Sequence, residues 1–191
     1  LAYPLFADVI KKGTNRTDAW GYDPSISSSL QANLSSGFNG GAVYDRGHQL
    51  PSADRICDAA TNRTTFYYSN MTPQIGKKLN QTIWASLEDK VRGWVSGTDT
   101  LFVVTGAMPP TSGTIERQKG MAVPAYYFKA LARQVNKTFY TIAFKMDNKQ
   151  YTGTDYMSTA ISVEELEQLT GFTFFPTLDA QAKKLDKSKW Q

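Results

Sequence analysis

The densest polar cluster of the chain is Tyr44-Asp45-Arg46-Gly47-His48-Gln49, and it holds the single histidine. Near pH 7 a neutral imidazole can take a proton from water, and an arginine two residues away can neutralise a phosphate oxygen. A lone histidine is more often structural than catalytic, so its company decides. Downstream stand the amide Asn70 and then Asn80, Trp84, Glu88 and Arg92, which recur every four residues. An amide oxygen and a carboxylate are hard donors suited to a hydrated Mg²⁺. One base, one oxygen-liganded metal and several arginines are the parts needed to hydrolyse a phosphodiester. The plainer readings are that Glu88 and Arg92 form an ordinary surface pair one turn apart, and that Trp84 only packs.

These groups need elements to hold them. Leu79, Ile83, Leu87, Val91 and Val95 form an apolar stripe at the same interval, which predicts a helix over roughly 79–95. Asn80, Trp84, Glu88 and Arg92 then lie about 100° around it, three polar groups aimed one way. Leu101–Thr105 reads as a short strand covered on both faces, bounded by Gly97 and Gly106. Ala125–Ala132 and Phe139–Met146 are further strands, joined by the turn-like Val135-Asn136-Lys137. Ser162 and Glu165 have capping-box spacing and Gly171 suits a helix end, so 163–170 is a short helix. The pattern is α+β. Pro24–Gly41 reads as irregular surface, and Lys183, Lys184, Lys187 and Lys189 as a solvated basic tail.

Composition narrows the chemistry. At 191 residues, with no long linker, the chain is a single domain able to bury a core. No run of about eighteen apolar residues exists, which excludes a spanning helix. One cysteine, Cys57, excludes an internal disulfide framework and multi-cysteine zinc, and one histidine excludes multi-imidazole metal sites. A net charge of +4 is compatible with a polyanionic partner and no more.

Asp45-Arg46-Gly47-His48 resembles the D-R-G-H signature of the DNA/RNA non-specific endonucleases, the ββα-metal (His-Me finger) nucleases, closest in look to their bacterial members. The resemblance continues through Pro51-Ser52-Ala53-Asp54-Arg55 and through Ser69-Asn70 with Pro73-Gln74. It runs on through Leu79-Asn80, Trp84 and Leu87-Glu88, with Arg92 one turn later. Val103–Gly106, Val123-Pro124 with Tyr127-Phe128-Lys129, and Leu169–Gly171 near Phe174–Pro176 are similar to later landmarks. Residues 43–176 are thus the motif-bearing core, 1–42 a divergent N-terminal part and 177–191 the tail. Two segments, Thr98–Thr100 and Thr111–Gln118, differ in length from the family pattern.

The resemblance implies a central, mostly antiparallel sheet with flanking helices and a ββα-metal site. It implies Mg²⁺-dependent cleavage (Mn²⁺ as an alternative) of DNA and RNA with little sequence preference, leaving 5′-phosphate and 3′-hydroxyl ends. His48 would be the general base, Asn80 the direct metal ligand, and Glu88 the holder of the ion's waters. Arg46 and Arg92 would contact phosphate, Asn70 would help position the site, and Arg16, ahead of Trp20, would supply a further substrate arginine. The chain opens without an initiator Met, and an extracytoplasmic location with a signal already removed goes with the resemblance. Oligomeric state stays open. So do two rivals: a nucleic-acid-binding module that has lost hydrolysis, and a surface-attachment domain.

Overall fold

The computed structural model describes residues 1–38, 43–95 and 100–191. In chain order they form β1 (Ala2–Leu5), α1 (Ala7–Ile10), β2 (Tyr44–His48), α2 (Ala59–Thr64) and β3 (Met71–Ile75). A helix follows whose first part, Gly76–Trp84, is π-wound and whose second part is α3 (Ala85–Gly93). Then come β4 (Leu101–Met108), β5 (Arg117–Gln118), β6 (Met121–Ala122), β7 (Tyr126–Val135), β8 (Thr138–Asp147), β9 (Ala160–Ile161) and α4 (Val163–Thr170). A five-stranded antiparallel sheet runs β1-β4-β7-β8-β9, and β2 pairs with β3 as a separate antiparallel ribbon. The architecture is the expected α+β.

Successive strand residues point to opposite faces, and both faces of the sheet are used. On one face Leu79, Ile83, Trp84, Leu87 and Val91 pack against Leu101, Val103, Tyr127, Leu131 and Phe144. On the other, Val163 and Leu166 of α4 meet Phe128, Ala130 and Ala143. The predicted four-residue stripe is therefore the helix's buried stripe, although Val95 lies beyond the helix end. The helix also starts at Gly76, three residues before the expected start. The polar pair Lys77-Lys78 extends it without extending the stripe. Ser162 caps α4 by accepting from the Glu165 amide at 2.9 Å, and Gly171 takes the left-handed conformation (φ 72°) that ends it. Asn136 and Lys137 both have positive φ, as a tight β7–β8 turn requires.

Three expectations need correction. The 101–105 strand is not covered on both faces: Phe102 is 44% exposed, since α4 sits over β7 and β8 instead. Pro24–Gly41 is not all surface, because Leu34 and Phe38 are buried with Tyr68 and Met71 in a small core of their own. The basic tail is not a free solvated end. Trp190 is buried edge-on against Trp94 at 5.1 Å, and Lys183 pairs with Glu167 at 2.7 Å. An indole of that size outweighs the pull of the neighbouring lysines toward water, which Lys184, Lys187 and Lys189 satisfy by staying exposed. Gly41, Gly97, Thr98 and Asp99 lie outside the described residues.

Candidate active site

The ribbon β2–β3 and the helix beginning at Gly76 follow one another, which gives a strand–strand–helix unit around one open cavity of about 620 Å³. His48, Asn80, Glu88, Arg92, Arg46 and Arg16 all line it. Residues far apart in sequence thus share one cavity lining.

His48 ends β2 opposite Met71. Its ring is wedged edge-on between Trp20 (5.6 Å) and Phe66 (5.2 Å). Among the described residues the buried Nε2 has no hydrogen-bond partner, while the Arg46 backbone bonds the ring. Burial, then the positive charge of Arg16, pushes the His48 pKa down to about 4, so the imidazole is neutral at pH 7. An unprotonated nitrogen with no partner is the feature a general base needs. Gly47, just before it, is constrained by a close approach. A Cβ there would lie 2.4 Å from Gln74 Oε1 and 2.6 Å from Gln74 Cβ, and Gln74 is fully buried.

Asn80 sits in the π-wound turns. Its Nδ2 donates to Asp45 Oδ2 at 2.8 Å, and Gln81 Nε2 donates to the same oxygen at 2.8 Å. A carboxylate only accepts, so Asp45 fixes which end of the Asn80 amide is nitrogen and leaves Oδ1 for a cation. Glu88, two turns on, brings a carboxylate to the same cavity lining. Burial raises its pKa to about 7, against the downward pull of Lys129 and Arg92. Among the described residues no three His, Cys, Asp or Glu side chains converge on one point. The donor set of one oriented amide and one carboxylate fits a hydrated divalent ion better than a caged one.

The arginines differ from one another. Arg46 stacks its guanidinium 3.6 Å from the centroid of Trp20 and donates to the Leu34 carbonyl at 3.0 Å. Neither contact is a charge partner, so its positive charge is available at the cavity. Arg16 lies 4.6 Å from the Phe66 ring and pairs at 2.8 Å with the exposed Asp18. Arg92 does not pair with Glu88: it donates to buried Asp54 at 2.9 Å and to Asp89. Burial would lower its pKa, but those carboxylates outweigh burial and raise it.

Asn70 is set apart from the cavity lining. Its amide accepts from the Leu50 N–H and donates to the carbonyls of Leu50 and Thr65, at 2.8–3.0 Å. It braces the chain that leaves His48. Sequence reasoning gave no role to Asp45, Asp54 or Lys129, although all three fall inside the quoted motifs. Nor did it see Tyr3, whose hydroxyl donates to Asp54 Oδ2 at 2.9 Å.

Comparison with known proteins gives the family. Residues 2–181 match the family described as DNA/RNA non-specific endonuclease. The chain is 30% identical to Nuclease C1 of Cunninghamella echinulata var. echinulata over 168 residues, 82% of this chain and 66% of that protein. It is 31% identical to a nuclease of Nostoc sp. over 159 residues, 78% of this chain and 57% of that protein. A nuclease of Serratia marcescens is 30% identical over 202 residues, 99% of this chain and 72% of that protein. The chain thus spans just under two thirds of the Cunninghamella protein and just over half of the Nostoc one. A chain of the crystal structure of an EndoG/EndoGI complex shares the fold, with a TM-score of 0.83 over 95% of this chain and 79% of that one, at 22% identity. With the match running from Ala2 to Gln181, the chain belongs to the DNA/RNA non-specific endonuclease family.

Proposed function

We propose that the chain is a single-domain, metal-dependent endonuclease that hydrolyses phosphodiester bonds of DNA and RNA with little sequence preference. The observation that supports this reading is the meeting of two residues in one cavity lining: His48, whose buried Nε2 has no hydrogen-bond partner among the described residues, and Asn80, whose Oδ1 is left over when Asp45 takes its Nδ2. Arg46 and Arg16 hold the phosphate. His48 Nε2 removes a proton from the attacking water as its oxygen bonds phosphorus in line with the departing 3′ oxygen; the P–O3′ bond breaks and the 3′ oxygen takes a proton from solvent, giving 5′-phosphate and 3′-hydroxyl ends. Asn80 and Glu88 hold Mg²⁺ (or Mn²⁺), which supplies neutralisation of the charge that builds on the phosphate. Weak sequence preference follows from contacts made to phosphate, which carries no base information. An extracytoplasmic site of action is part of the same proposal and rests on the likeness to the family.

Substrate also tunes the base. After burial, the charge of Arg16 contributes most to holding His48 low, and Arg46 adds to it. A phosphate seated on those arginines cancels that field, so His48 becomes a stronger base when there is a bond to cut.

Supercoiled plasmid and a structured RNA, each incubated with the protein with and without EDTA, test the reading. Both should be cut without a discrete band pattern, and EDTA should abolish cutting. A gel shift without cleavage would instead identify the binding module.

A further inference from the structure

Beneath the helix, behind the cavity lining, is a buried group that the hydrolytic scheme above does not use. Lys129 stands in the middle of β7, between Tyr127 and Leu131 on the face covered by the helix, and is 1% exposed. Its Nζ makes no hydrogen bond among the described residues and lies 5.1 Å from the ring centroid of Trp84. Trp84 is one helical turn before Glu88, and its buried indole reaches that carboxylate. A lone ammonium sunk into a sheet–helix interface is costly unless an opposite charge sits close by. The charges that face it are Glu88 first, then Asp54, with Arg92 opposing. Asp54 is already held by the Tyr3 hydroxyl and by Arg92, and Arg92 also by Asp89. Glu88 forms no ion pair among the described residues and has the Trp84 indole as its hydrogen-bond partner, which leaves its charge as the natural complement of Lys129.

We propose that Lys129 is a positioning residue of the site, the fixed counter-charge beneath Glu88 that keeps this carboxylate aimed at the hydrated ion. Lys129 touches neither ion nor substrate; it acts through Glu88. The proposal rests on the reading of Asn80 and Glu88 as the ion's donors. Burial pushes Lys129 below the ordinary lysine value while Glu88 and Asp54 pull it back up, as expected of a desolvated cation with acidic partners. Around Glu88 the facing groups are Lys129, Asp54, Arg92 and the Trp84 indole, so the loss of Lys129 leaves Arg92 as its one cation, and that one is shared with two aspartates.

The test is calorimetric titration of the metal-free protein with MgCl₂ and MnCl₂, without nucleic acid. Lys129→Met should weaken ion binding by about 10–100-fold, the usual scale when support for a metal site is removed. Glu88→Gln should weaken it to a similar degree, and the double variant should be no worse than Glu88→Gln alone. Lys129→Arg should recover part of the loss. A Lys129→Met protein that folds and binds both ions like the wild type would overturn the proposal, as would losses that simply add. Wild-type protein that binds neither ion would instead refute the assignment of Asn80 and Glu88, and the proposal with it. Lysine-selective ¹⁵N NMR tests the pairing from the other side and needs no Lys129 variant. Glu88→Gln should move the Lys129 Nζ resonance in metal-free protein, and an unmoved resonance overturns the pairing even if Lys129→Met does not fold.

Discussion

At the scale of single residues, the site works by choosing which atoms have no partner. His48 is kept neutral because burial and Arg16 disfavour its charged form, and its free nitrogen is thereby a base well below the ordinary histidine range. The limb of kcat/KM that His48 sets in the free enzyme should lie near pH 4, and the corresponding limb of kcat, which reports the complex, at higher pH. Coincident limbs near 6.5 would remove the argument that phosphate relieves the field of the arginines. The same shift enters stability. Between pH 6.5 and about 4 the unfolded chain binds a proton at His48 that the folded chain refuses, so stability is lost as pH falls through that window. His48→Ala should therefore gain on the wild type by up to about 3 kcal/mol from pH 7 to pH 4 in paired urea titrations. Asp45 works differently, through Asn80: Asp45→Ala should weaken Mg²⁺ binding by about 10–100-fold in calorimetry while leaving His48 intact.

At the scale of elements, the helix was the most legible feature, because a four-residue apolar repeat and a parallel polar repeat are visible in a single sequence. Its π-wound opening was not. Winding differs by one hydrogen-bond step, and Gly76, Lys77 and Lys78 carry no periodicity that separates the two. Asn80, Glu88 and Arg92 could be placed on one face from spacing alone, but Arg92's preference for Asp54 over Glu88 could not. That pairing depends on a short 3₁₀ helix, Ser52–Arg55, that brings in Asp54. The ribbon beneath His48 was legible only as a motif, since the reason for Gly47 is a side chain from the partner strand. Gly47→Ala should push Gln74 aside and cost about 1–3 kcal/mol, read as a lower urea midpoint, with activity falling as His48 shifts. A variant as stable and active as the wild type would show that the approach of Gln74 is not constraining.

At the scale of the whole molecule, the core on one sheet face ties the helix that carries Asn80 and Glu88 to residues near both ends of the sequence. Tyr3 and Trp190 bury against the same sheet face as the helix. Neither was legible: Trp190 is one aromatic among lysines, and Tyr3 lies in a four-residue strand too short to show alternation. Trp190→Ala should cost about 3–5 kcal/mol by thermal or urea denaturation, while the enzyme that remains folded cuts normally. Net charge was legible and is modest at +4, so phosphate neutralisation falls to local arginines. Arg46→Ala should flatten the plot of log binding constant against log salt by about 0.9 on duplex DNA. Arg92→Ala should flatten it less, because Asp54 and Asp89 already neutralise that guanidinium.

The division of labour between His48 and Asn80 is tested most directly by measuring plasmid cleavage rates across a Mg²⁺ titration for wild type, His48→Ala and Asn80→Ala. Removing the base should lower the saturating rate by at least ~10²-fold with the half-saturating Mg²⁺ concentration unchanged. Removing the amide should move half-saturation to much higher Mg²⁺. A His48→Ala protein that cuts at the wild-type rate, or an Asn80→Ala protein that saturates at the wild-type Mg²⁺ concentration, would contradict it.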